Sequence, residues 1–192
     1  IERGTPGLST GKREKKLGMR SSDTVQVILE DCRVPAENLL GKEDHGFDDV
    51  KTVLEGGRAV ISAMSVGFAR GALEEAAKYS KERTAFKQPI ANFQAIQHKL
   101  ADMATQVEAG RLLAYQACTL MDQGKSTKRA APMAKLFCSE MATQVCLDAI
   151  QILGGYGYLS EYNVERYMRD AKLIEIGEGT SEVMRTLVAR TL

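Results

Sequence analysis

A glutamate stands between two glycines near the end of the chain, in Ile176-Gly177-Glu178-Gly179-Thr180. A carboxylate can act as a general base. Glycines on either side admit backbone angles closed to other residues and let a ligand come close. In a dry pocket, burial would push such a carboxyl upward toward neutral pH, while the helix start expected just after it pulls the other way. Taken alone, Glu178 also reads as a solvated loop acid placed favourably near a helix N-terminus. Two further segments could bind rather than react. Gln151-Ile152-Leu153-Gly154-Gly155-Tyr156-Gly157-Tyr158 follows a helical pattern rather than a strand, so it is not a dinucleotide fingerprint. Its glycines serve either as a helix end or as backbone that approaches a cofactor. In Arg83-Thr84-Ala85-Phe86-Lys87-Gln88-Pro89-Ile90 the arginine suits a pyrophosphate and the phenylalanine could cover a ring. Both also fit an exposed helix end. Arg58 reads as an inter-helix ion pair or as an anchor near a substrate, and Arg169-Asp170 as a structural pair.

Apolar residues recur at helical spacing in the elements that must position these groups. Val50, Leu54, Ile61, Phe68, Ala72 and Ala76 form one stripe. Leu100, Met103, Val107, Ala114, Cys118 and Met121 form a second, and Phe137, Met141, Val145, Ala149 and Ile152 a third. Loops fall at 84–89 and 122–126. The third helix should stop near Gly154-Gly155, and a last, shorter helix should start at Thr180 as its N-cap. Three long helices and a shorter one with short connections predict a mainly α fold, an antiparallel four-helix bundle. Residues 1–46 differ. Pro6, Pro35 and several glycines surround Thr24-Val25-Gln26-Val27-Ile28-Leu29, which reads as a strand. This short β segment is too small to stand alone and is expected to be the end of a larger β unit. The division is therefore 1–46, an incomplete β portion, and 47–192, the bundle with the Glu178 loop. The first residue is Ile1, which fits a fragment or a processed product.

Of 192 residues, 44% are hydrophobic and 27% charged, and the net charge is +1. That balance gives no field for nucleic acid or an anionic membrane, and no apolar run approaches the length of a membrane span. Cys32, Cys118, Cys138 and Cys146 form no CxxC pair, and only His45 and His98 could join them, so no metal site is expected. The last three cysteines lie in apolar helical stretches. They read as buried free thiols, which suits a reducing compartment.

In chain order the motifs resemble the C-terminal part of the acyl-CoA dehydrogenases, a family of flavoproteins. The resemblance runs through Glu2-Arg3-Gly4-Thr5-Pro6-Gly7-Leu8, Lys16-Leu17-Gly18-Met19-Arg20-Ser21-Ser22 and Val34-Pro35-Ala36-Glu37-Asn38-Leu39-Leu40-Gly41. It continues through Gly57-Arg58, Tyr79 to Phe86, Gln151 to Gly157, Arg169-Asp170-Ala171-Lys172 and Glu178-Gly179-Thr180-Ser181. It implies the last strands of the family's middle β-domain followed by its C-terminal bundle. It also implies FAD-dependent α,β-dehydrogenation of an acyl-CoA thioester in the bacterial cytoplasm or the mitochondrial matrix. Glu178 would remove the α-proton, and its own backbone N–H would help polarise the thioester carbonyl. Some relatives carry the base just before the arginine matched by Arg58; here that position is Gly57, so Glu178 is the expected base.

The resemblance further implies that Glu55, Arg58 and Gly179 line the substrate. Arg83, Phe86, Gln94, Gln151, Gly154, Gly155, Thr180 and Glu182 would contact FAD, part of it held by a neighbouring subunit in a homotetramer built as a dimer of dimers. Electron-transfer flavoprotein is the implied electron acceptor. Two departures stand out: Lys87 replaces a usual glycine beside the cofactor-contacting turn, and Gly177 replaces a frequent aromatic wall of the acyl pocket. A flavin monooxygenase or oxidase on the same fold, and a non-catalytic assembly module, are the alternatives.

Overall fold

The computed structural model describes residues 1–192, which form two compact units, Ile1–Val53 and Leu54–Leu192. In the first, strands β1 (Leu8–Thr10) and β2 (Val27–Leu29) pair antiparallel, with Leu8 opposite Leu29 and Thr10 opposite Val27. The strand expected over 24–29 is thus only its last three residues. Val27, Leu29, Leu39 and Leu40 are all exposed. A ribbon this small, with its apolar side chains outside, does not stand alone in water.

Five α-helices follow: α1 (Gly46–Glu82), α2 (Gln94–Asp122), α3 (Ala130–Leu153), α4 (Val164–Ile176) and α5 (Ser181–Ala189). A short hairpin of β3 (Thr84–Ala85) and β4 (Gln88–Pro89) joins α1 to α2. Direction can be read from the contacts. Lys99 near the start of α2 pairs with Asp148 near the end of α3, and the Cys138 thiol donates to the Gly110 carbonyl midway. At the other end, Ala117 of α2 clusters with Ala131 and Ala134 of α3 and with Ala59 of α1. These neighbours therefore run antiparallel, as the loop lengths predict.

The helix missing from the sequence expectation is α4. Its apolar residues Val164, Met168, Ala171 and Ile174 have helical spacing, but charged residues surround them and glycines flank the segment. Val164, Ala171 and Ile174 are fully buried. The bundle's fourth member is α4, and α5 is an extra short helix beyond the Glu178 loop. Within α4 the Arg169 guanidinium binds Glu165 one turn earlier at 2.6 and 2.9 Å. Asp170, the partner expected from the sequence, also acts on this guanidinium through its charge, with Glu165 the larger influence.

The α1 stripe is displaced in part: Ala72 and Ala76 are buried as expected, while Leu54, Ile61 and Phe68 are only half-buried. Ala59, Ser62, Val66, Ala69, Ala72, Ala76 and Ser80 are buried, whereas Val50 is exposed. The largest side chains lie beside the contact, and small ones form it, which allows a close helix approach. By length and composition Ala130–Tyr158, which contains α3, could cross a bilayer. Its buried residues instead face the other helices on several sides, as in the central helix of a packed bundle.

All four cysteines are free. Burial pushes the Cys138 and Cys146 thiols up to about 12, so they stay protonated and inert. Cys118, expected to be buried, is only half-buried. In the native protein Cys32 and Cys118 should alkylate with iodoacetamide well before Cys138 and Cys146. Mass mapping of a time course checks this order, and early labelling of Cys138 would contradict it.

Candidate active site

The loop between α4 and α5 owes its shape to the glutamate more than to its first glycine. Gly177 has φ −64 and ψ 151, extended backbone open to any residue. A Cβ there would come no closer than 3.4 Å to the Leu173 carbonyl, so the position is not glycine for lack of space. Glu178 itself is left-handed, at φ +57. A non-glycine residue in that region carries roughly 1–2 kcal/mol of strain, so its surroundings must hold it. Gly179 is needed on both counts: φ is +105, and a Cβ would lie 2.7 Å from Met184 Cε.

The strained glutamate is aimed at α1. A Cβ on Gly57 would lie 2.9 Å from Glu178 Oε1 and closer still to Oε2. Gly57 is therefore more than a missing base: its bare Cα makes the space that the Glu178 carboxylate fills. Oε2 is buried and has no hydrogen-bond partner. Arg58, next along α1, donates from Nε to the Glu178 carbonyl at 3.4 Å. Glu55 lies one turn earlier on the same helix, half-buried.

From α3 comes a residue that sequence reasoning missed. Lys135 is fully buried, and its Nζ donates to the Gly179 carbonyl at 2.6 Å. Burial lowers its pKa below the ordinary lysine value; Glu175, Glu178 and Glu140 pull it back up, and Arg58 adds to the lowering. The available signal was a lysine inside an apolar helical run, flanked by Ala131, Ala134 and Cys138 at helical spacing.

Thr180 ends the loop as expected. Its Oγ1 accepts from the Val183 N–H at 3.4 Å and caps α5. Glu182 in the first turn is exposed, and its carboxyl is held below the usual range by its own backbone N–H and the Thr180 hydroxyl. Ser181 Oγ is buried without a partner.

A second group gathers elsewhere. Arg83, Gly154 and Gly155 line one cleft of about 420 Å³ with Tyr79, Ile90 and Tyr156. The Arg83 guanidinium lies 5.7 Å from the Tyr156 ring centre, and Gly154 and Gly155 leave open space where side chains would be. Nearby, Phe86 is 90% exposed at the tip of the β3–β4 hairpin and meets the Phe93 ring edge-on, just before Gln94 opens α2. Gln151 is exposed in the last turn of α3. Lys135 and Gly154 are nineteen residues apart along α3, about 28 Å of helix. The sequence-marked residues thus form two groups, one with Glu178, Gly179, Thr180, Glu182, Glu55 and Arg58, the other with Arg83, Phe86, Gln94, Gln151, Gly154 and Gly155.

A family model described as "Acyl-CoA dehydrogenase, C-terminal domain" matches residues 44–192. A probable acyl-CoA dehydrogenase of Bacillus subtilis is 52% identical over 188 residues, 98% of this chain and 50% of that protein. Butyryl-CoA dehydrogenase from Megasphaera elsdenii superposes with a TM-score of 0.97 at 44% identity, over 100% of this chain and 50% of that one. A chain solved in work on the electron transferring flavoprotein of Acidaminococcus fermentans superposes at 0.98 with 51% identity, again over 100% and 50%. This chain spans about half the length of the curated relatives it matches.

The hairpin carries its own test. Phe86 and Lys87 are both left-handed, at φ +51 and +68, as a two-residue hairpin turn of the primed type requires. Glycine at 87 would relieve the strain of a lysine there, less the entropy that glycine loses on folding. Lys87→Gly should leave the fold intact and raise stability by roughly 0.5–1 kcal/mol, measured by urea unfolding. A loss of stability would show that the lysine side chain makes a compensating contact.

Proposed function

The chain belongs to the acyl-CoA dehydrogenase family, and from that membership we propose that the full protein converts acyl-CoA thioesters to trans-2-enoyl-CoA with FAD. Residues 1–46 are read as the end of its middle β-domain and 47–192 as its C-terminal bundle. The observation that carries the reading is Glu178 Oε2, buried and without a hydrogen-bond partner. A buried oxygen left without a hydrogen bond is expensive to keep, here on a side chain that is otherwise half-buried. A purely structural or assembly role gives no reason for it, whereas a base needs a free lone pair.

In this reading Glu178 takes the α-proton. Its left-handed backbone directs the carboxylate toward α1 and turns its own N–H into the loop, where it can polarise the thioester carbonyl as negative charge develops. Arg58 and Glu55 flank that space from α1, and Gly179 keeps the loop thin enough for the thioester. FAD, when bound, supplies the two-electron acceptor for the hydrogen that leaves the β-carbon. The residues of the second group fit such a cofactor: a cation suited to phosphate, bare glycine backbone and aromatic rings around one cleft. Arg83, Phe86, Gln94, Gln151, Gly154 and Gly155 would hold it from one side, Thr180 and Glu182 from the other. The roughly 28 Å between Lys135 and Gly154 along α3 supports one chain contributing to two separate FAD molecules, so that neighbours in a homo-oligomer share each site; a dimer of dimers is what the family resemblance implies. Electron-transfer flavoprotein is the proposed electron acceptor, and four free cysteines suit a reducing compartment.

Two substitutions in the full-length protein test the base. Glu178→Gln should keep bound FAD, seen in its absorption, and lower kcat on acyl-CoA by about 10²–10⁴-fold. Substantial remaining turnover would reject Glu178. Gly57→Ala places a methyl where the carboxylate lies. Because the end of a glutamate side chain can move, the melting temperature should change little while kcat falls at least tenfold. Unchanged kcat would mean that Glu178 reacts from another position.

A further inference from the structure

We propose that Lys135 is the positioning residue of the Glu178 loop: from α3 its ammonium fixes the Gly179 carbonyl, and so keeps Glu178 left-handed with its carboxylate against Gly57. This deepens the proposed function and rests on Glu178 being the base.

The argument starts from cost. A lysine ammonium withdrawn from water is unfavourable unless it is paired and hydrogen-bonded, and Lys135 is among the largest fully buried side chains of the molecule. A methionine could fill the same volume among Ala131, Ala134 and Cys138. What methionine lacks is a donor, and the donor of Lys135 goes to the Gly179 carbonyl at 2.6 Å. That carbonyl belongs to the peptide between the base and the α5 cap. Fixing it constrains Glu178 on one side and Thr180 on the other. Strained backbone at a reactive site persists only where the surroundings over-determine it. The other hold on this segment is weaker, the 3.4 Å bond from Arg58 to the Glu178 carbonyl.

The charges around the ammonium come from three helices and the loop. They are Arg58 on α1, Glu140 on α3, Glu175 on α4 and Glu178 in the loop. Glu175 is itself held by the Thr143 hydroxyl of α3 and by Lys172 at 2.7 Å. Lys135 is thus anchored on the central helix and reaches the one backbone oxygen beside the strained residue. It need not touch substrate to act.

The test uses the full-length, FAD-loaded protein and two readouts. The first is steady-state turnover of Lys135→Met, which keeps nearly the volume of the side chain, one atom shorter, and removes the donor. kcat should fall on the order of 100-fold with KM changed by less than about threefold, because misplacing the base harms the proton transfer more than substrate binding. The second is amide hydrogen exchange at Gly177 and Met184. These N–H groups bond to Leu173 and Thr180 on either side of the loop. In the unsubstituted protein both should exchange at least tenfold slower than Thr191 in the fraying end of α5. In Lys135→Met both should speed up at least tenfold, while Val145 and Cys146 in mid-α3 stay equally slow.

Lost turnover with unchanged exchange at Gly177 and Met184 overturns the proposal, as does faster exchange with undiminished kcat. If the variant does not fold, the unsubstituted protein still decides: amides as fast as Thr191 mean that no such hold exists. Absence of acyl-CoA turnover in the unsubstituted enzyme would reject the function reading instead, and leaves the exchange result to stand by itself.

Discussion

Glu178 lies at φ +57, a region that costs an L-residue roughly 1–2 kcal/mol, so every other feature of its loop can be understood as holding that conformation. α4 delivers the chain through the Gly177 N–H to Leu173 carbonyl bond at 2.8 Å. α5, capped by Thr180, takes the chain away. α1 supplies the hollow at Gly57 and a bond from Arg58, and α3 supplies Lys135. Four helices thus meet at one short loop, each acting on a different one of its peptides or ends. A rigid scaffold around a strained loop is the general solution for precise placement of a reactive group.

The closeness of these helices follows from residue size. Ala59, Ala117, Ala131 and Ala134 form one contact; Ala69, Ala72, Ala76, Ala142 and Ala149 run through the larger core beside Val145 and Cys146. Alanine loses no side-chain entropy on burial and lets backbones approach. This explains how Lys135 on one helix can reach a carbonyl beyond α4, and how Glu178 can lie against a Cα of α1. The same economy leaves larger residues such as Val60, Leu112 and Tyr115 on the outside.

Much of this was legible in the chain. The α2 and α3 stripes, the end of α3 at Leu153 and the Thr180 cap follow from periodicity and capping chemistry, which are local. The glutamate–glycine motif marked the loop. What escaped reading depends on distant partners. α4 hid because Arg166, Arg169, Asp170 and Lys172 outweigh a narrow apolar face that only the bundle reveals. The first half of the α1 stripe was misplaced because the buried face there is made largely of alanine and serine, which carry little hydropathy signal. Gly177 looked like the flexible residue, yet the left-handed angle falls on Glu178, in a loop that meets Lys135 and Gly57, 43 and 121 residues away in the chain. Lys135 left one signal, its place inside an apolar helical run, which a snorkelling surface lysine can share.

The carboxylate without a partner has an implication for anyone who evolves this protein in the laboratory. Replacing Glu178 by glycine would relieve both the strain of its left-handed backbone and the buried Oε2 that lacks a hydrogen bond. A screen that rewards heat resistance alone would therefore be drawn to position 178 early, and under the proposed function would collect robust, well-folded variants without a base. Under that reading, selection on this scaffold has to reward turnover from its first round, because the gradient of stability and the gradient of activity point in opposite directions.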